Sequence, residues 1–139
     1  MSEELKKRIE KIHEFHEKGY NCAQAIVCAY ADKFEGNIDE QTLFKLSEGF
    51  GLGMGGMEGT CGAISAGILL NGLKTSSGNL ECPNSKGKTY QVSRAIADEF
   101  LKKNGTLICR ELKGIDTKQV KRSCAGCLDD MAEIIEKYL

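Results

Sequence analysis

The stretch "GFGLGMGGMEGTCGAISAGILLNGL", Gly49 to Leu73, decides between two fold classes. Its "GLGMGG", Gly51 to Gly56, matches G-x-G-x-x-G, a phosphate-binding turn that needs a strand before it and a βαβ unit around it. The preceding "EQTLFKLSE", Glu40 to Glu48, instead carries Leu43 and Leu46 at helical spacing behind Asp39, a capping residue. A helix leading into the glycines argues against a dinucleotide site and for an all-α fold. Beyond them, Thr60 is expected to cap a helix from Cys61 to about Asn71. Its small residues Gly62, Ala63, Ala66 and Gly67 let a neighbouring backbone approach.

The segments on either side repeat the helical pattern. Glu3 to Lys18 places Leu5, Ile9, Ile12 and His16 on one stripe and ends at Gly19. Asn21 caps a second helix, about Cys22 to Lys33, whose "CAQAIVCAYA" is apolar nearly all round and therefore central. A fifth helix, about Lys88 to Lys103, turns Val92, Ile96 and Phe100 inward, and a last one follows Ser123 from Cys124 to about Tyr138. Proline occurs once, at Pro83, and no repeat or compositional break divides the chain. The expectation is a single-domain bundle of about five to six helices over residues 1–139, with a glycine-rich loop before a buried central helix.

Composition narrows the function. With 41% hydrophobic residues, 139 residues can bury a core without disulfides or metal. Nineteen basic residues against 20 acidic ones, with no Lys/Arg block, leave no electrostatic footprint for nucleic acid. The first residues, "MSEELKKRIEKIHEFHEKGY", do not read as a signal peptide, and no apolar run reaches the roughly 20 residues of a membrane helix. A cytoplasmic protein without membrane insertion is expected.

Seven cysteines in such a chain point to metal binding or thiol chemistry rather than a structural disulfide framework. Cys22, Cys61 and Cys124 each follow a capping residue, Asn21, Thr60 and Ser123, and so fall at the first position of a helix. Cys109, in "NGTLICRELKG", opens a segment long enough for one helical turn. Free backbone amides and the positive end of the helix dipole stabilise a thiolate there and lower its pKa. Cys28 lies mid-helix among apolar residues, and Cys82 sits beside Pro83 in a polar loop, so both read as incidental. Cys127 forms C-x-x-C with Cys124 and also lies on the apolar stripe of the last helix, so it fits a redox or ligand role and a core role equally. His13 and His16, in "HEFH", read as solvated surface and core edge rather than as metal ligands.

These residues resemble the C_GCAxxG_C_C family of redox-active proteins, which has four characteristic cysteines. The resemblance rests on "GYNCAQAI" (Gly19 to Ile26), "GFGLGMGGMEGTCGAISAG" (Gly49 to Gly67), "CREL" (Cys109 to Leu112) and "CAGCLDDMAEIIEKYL" from Cys124. It places the family cysteines at Cys22, Cys61, Cys109 and Cys124, the set the capping pattern singles out, and it implies a redox role.

If the four thiols converge, two thiolates about 4 Å apart repel by roughly 4 kcal/mol at an effective dielectric of 20, and helix ends offset only about 0.3–1 kcal/mol each. A cation or an S–S bond must intervene. Separations of 39, 48 and 15 residues are unlike the paired knuckles of structural zinc sites. That favours an iron–sulfur cluster on Cys22, Cys61, Cys109 and Cys124, with Cys127 as a substitute ligand, serving electron transfer to a redox partner protein. The alternative is a metal-free thiol–disulfide redox protein, with Cys22 and Cys61 as the first-choice pair. A further alternative is a non-catalytic helical interaction module whose cysteines fill the core. The glycines before Cys61 then serve close approach of the Gly51–Gly59 loop to the site.

Overall fold

The computed structural model describes residues 1–139 and is all-α. Its helices are α1 (Glu3–Lys18), α2 (Cys22–Ala29), α3 (Glu40–Glu48), α4 (Gly51–Met54), α5 (Gly62–Thr75), α6 (Lys86–Asn104), α7 (Cys109–Lys113) and α8 (Cys124–Glu136). Six of these correspond to the helices expected from the sequence. The additions, α4 and α7, are single turns, too short to show periodicity.

The apolar second helix lies at the centre, as its composition requires. Residues Ala23 to Tyr30 are all buried, and α2 packs on α5, α3 and α1, while α8 closes the bundle against α1, α5 and α6. A single cluster of 26 buried residues joins these faces. α2 ends four residues before the expected Lys33. The Tyr30 amide is shared between the Ile26 and Val27 carbonyls, and the chain tightens into a 3-10 turn over Ala31–Phe34.

Two local expectations are corrected. Leu46 does not pack inward; it is 56% exposed, and Ser47 takes the buried place beside Leu43. The Ser47 hydroxyl can be buried because it donates to the Leu43 carbonyl at 2.7 Å. Thr60 does not cap α5, because its backbone is engaged in an isolated antiparallel bridge with Ile108, and Cys61 itself becomes the N-cap residue. The bridge extends on both sides. The Cys61 amide donates to the Leu107 carbonyl at 2.8 Å, the Cys109 amide to the Gly59 carbonyl at 3.0 Å, and the Arg110 amide to the Met57 carbonyl at 2.8 Å. This pairing ties the start of α5 to the start of α7, although 48 residues separate their cysteines.

The glycine run forms neither a strand nor a phosphate turn. Within α4 the backbone is left-handed at Leu52 (φ 54°) and Gly53 (φ 56°) and stays so at Met54 (φ 64°) and Met57 (φ 69°), a compact coil of unusual curvature. Two glycines make its approach possible. A Cβ at Gly51 would lie 2.4 Å from the Asn21 side chain, and one at Gly53 would lie 2.4 Å from the Cys109 Cβ. No helix is long and apolar enough to cross a membrane.

Candidate functional site: a pocket walled by five thiols

Cys22, Cys109 and Cys124 stand at the first positions of α2, α7 and α8, and Cys61 at the N-cap of α5. Each start is fixed locally. Asn21 forms a complete capping box with Gln24, accepting from the Gln24 amide at 2.9 Å while its own amide donates to the Gln24 side chain at 3.0 Å. The Ser123 hydroxyl accepts from the Gly126 amide at 3.0 Å. Arg122, just before that cap, forks onto Asp130 of α8 through two contacts of 3.0 Å. Asp130 is 1% exposed and also receives Lys103 at 2.6 Å and Asn104 at 3.1 Å.

These helix starts meet around one cavity of about 210 Å³. Cys22, Cys61, Cys109 and Cys124 all line it, and Cys127 joins them. Lys113 and Arg122 supply its cationic side, His16 also lines it, and Leu52 and Leu112 form its apolar wall. All seven cysteines are free thiols. Cys28, buried in α2, and Cys82, exposed in its loop, stand outside the pocket. His13 turns away as well, meeting Asp129 at 2.6 Å, so the two histidines of "HEFH" do not act together.

Within the pocket the thiols are arranged as pairs. The interaction with Cys124, together with burial and the charges of Cys124 and Cys61, pushes the Cys22 thiol far above its ordinary range. Its partner moves the other way. The Cys22 hydrogen bond holds Cys124 down at about 5 against the cost of burial, helped by Lys113, whose Nζ lies 3.4 Å from the sulfur, and by His16. Cys127 and Cys61 repeat the pattern. The Cys127 hydrogen bond lowers the Cys61 thiol against burial, with the amides of Ala63 and Ile64 assisting, while the same bond and burial raise Cys127 strongly. Cys109 is raised by burial first and then by the neighbouring charge of Cys61.

The expectation that every capped cysteine is acidic is thus corrected. Thiolates this close repel, so one member of each pair ionises and the other keeps its proton to hydrogen-bond it. Cys22, whose first-choice partner from sequence is Cys61, feels Cys124 most strongly and Cys61 after it. Lys113 was not singled out by the sequence reading, although it follows Cys109 by one helical turn, the spacing that puts two side chains on one face. No group of three or more His, Cys, Asp and Glu side chains is arranged to hold a single metal ion.

A helical bundle with five free thiols around one cavity defines a cysteine-pocket protein of the redox class. The chain belongs to the family described as Putative redox-active protein (C_GCAxxG_C_C), whose model matches residues 20–138. No curated protein and no solved structure matches it significantly.

Proposed function

We propose that the protein is a thiol–disulfide redox protein whose exchanging pair is Cys124 and Cys22. The observation that carries this is that both cysteines line one cavity, with the Lys113 ammonium 3.4 Å from the Cys124 sulfur. Both cysteines are partly exposed, so a disulfide substrate can reach them. The Cys124 thiolate attacks one sulfur of a substrate disulfide, the substrate S–S bond breaks, and the leaving thiolate takes a proton from solvent. A mixed disulfide on Cys124 remains. Cys22 then gives up its proton and attacks the Cys124 sulfur, releasing the second substrate thiolate, which that proton neutralises. The substrate gains two electrons and two protons, and the protein is left with a Cys22–Cys124 disulfide.

A second reading is supported by the number of thiols around a single cavity. Thiolates are the ligands of iron–sulfur clusters, and a space of about 210 Å³ suits a multi-atom group better than one ion. Cys22, Cys61, Cys109 and Cys124 would hold it, with Cys127 in reserve, and Lys113 and Arg122 would offset its negative charge. Such a cluster would supply one-electron transfer.

One preparation tests both. Protein purified anaerobically is assayed for iron and acid-labile sulfide, then treated with oxidised glutathione and peptide-mapped. Colourless, iron-free protein that forms Cys22–Cys124 supports the exchange reading. Brown protein with stoichiometric iron and sulfide replaces it with the cluster.

A further inference from the structure

Cys61 and Cys127 are unused by that exchange, and their setting is unlike that of ordinary core cysteines. They are 6% and 2% exposed, yet both face the cavity that Cys22 and Cys124 line. Their acidities move in opposite directions, Cys61 down and Cys127 up, each chiefly through the other. Cys127 follows Cys124 by three residues on α8, which puts the two on one helix face, and Cys61 at the start of α5 lines the same cavity. Cys28 shows what an incidental buried cysteine looks like here: its sulfur makes only a long contact of 3.9 Å to the Glu40 carbonyl and meets no other thiol.

We propose that Cys61 and Cys127 form a second dithiol couple in series with the first, so that one pocket carries four reducing equivalents and passes the inner two outward through Cys124. The proposal rests on the thiol–disulfide reading. A bulky disulfide reaches the partly exposed outer pair and is reduced there, which leaves Cys22–Cys124 oxidised. The Cys61 thiolate then attacks the Cys124 sulfur, the Cys22–Cys124 bond breaks, and Cys22 leaves as a thiolate. Cys127 gives its proton to that thiolate and attacks the Cys61 sulfur. A Cys61–Cys127 disulfide closes, and Cys124 is released as the thiolate it was at the start. Two electrons and one proton have moved from the inner pair to the outer pair, each pair being one thiol and one thiolate when reduced. No outside oxidant takes part in this internal step.

The test is a disulfide map of the reduced, iron-free full-length chain titrated with oxidised glutathione, each time point being acid-quenched, unfolded and alkylated. Two disulfides are expected in the unaltered protein, Cys22–Cys124 and Cys61–Cys127. Cys127→Ala should keep the first and lose the second. In the double variant Cys22→Ser, Cys124→Ser the inner disulfide should form on the order of tenfold more slowly, since its route outward is gone. Unaltered protein that stops at Cys22–Cys124, with Cys61 and Cys127 both alkylated on unfolding, overturns the inner couple and leaves the outer exchange standing. Inner oxidation at an undiminished rate in the double variant overturns the series arrangement. Failure to form Cys22–Cys124 at all overturns the underlying reading instead.

Discussion

Gly53 and Cys109 are in direct backbone-to-side-chain contact: a Cβ at position 53 would fall 2.4 Å from the Cys109 Cβ and 2.9 Å from the Gly59 carbonyl oxygen. Gly53 also has φ 56°, where any L side chain is strained. Gly53→Ala should therefore cost at least about 2 kcal/mol, from left-handed strain plus overpacking, and should push Cys109 out of the pocket. Thermal unfolding measures the first effect and the alkylation rate of Cys109 the second. An unshifted melting temperature would mean that the coil yields freely and does not hold Cys109 in place.

Cys124 acidity should depend on two neighbours, Cys22 and Lys113. Cys22 is the largest single cause, and Lys113 acts through both its charge and its contact, so Cys22→Ala and Lys113→Gln should each raise the pH midpoint of Cys124 alkylation from about 5. Both changes move it toward the ordinary thiol value of about 8.5. Iodoacetamide rates between pH 4 and 9, read by peptide mapping, give the two midpoints. A midpoint that stays near 5 in either variant would remove that neighbour as a cause of the acidity.

Asp130 is nearly inaccessible and receives Arg122, Lys103 and Asn104, three donors that outweigh the cost of burial and hold its carboxyl below the usual range. A depressed carboxyl pKa adds stability that is complete above the unfolded value of about 3.9 and is lost as pH falls through the folded one. Asp130→Asn should thus destabilise at pH 7, by about 1–3 kcal/mol because Arg122 and Lys103 are partly hydrated. The difference from the unaltered protein should shrink as pH drops below the carboxylate range. Denaturant titrations at pH 7 and pH 3 compare the two.

Cys28 and Cys82 should be dispensable for redox behaviour. Cys28 is fully buried with its thiol pushed up to about 11 by burial, so Cys28→Ala should cost about 1 kcal/mol through lost packing and leave glutathione-driven disulfides unchanged. Cys82→Ser should change neither stability nor disulfide pattern. A lost Cys22–Cys124 disulfide in either variant would move the site away from the pocket.

Much of this was legible in the sequence because caps and periodicity are local. Asn21, Asp39 and Ser123 mark helix starts that the structure reproduces, and through two of them they mark Cys22 and Cys124. What escaped was non-local. Thr60 looks like a cap until its backbone finds Ile108, and the same bridge anchors the single turn α7 that the segment opened by Cys109 is long enough to form. The pairing of thiols was hidden for a related reason. Which sulfur faces which depends on how α5 and α8 pack, and four helix starts with equal local claims to acidity share it only by electrostatic competition inside the cavity.

The pocket draws on residues from His16 to Cys127, and α8 supplies Cys124 and Cys127 to face thiols from much earlier in the chain. As the chain emerges during synthesis, Cys22 and Cys61 are finished long before α8 brings Cys124 and Cys127 to meet them. For that interval they are bare thiols without their partners, alongside Cys28 and Cys82, and any oxidant would join whichever two collide first. The correct partners are selected by completed packing rather than by proximity along the chain. On the proposed thiol–disulfide reading, correct pairing is expected to need reducing surroundings until the last helix docks.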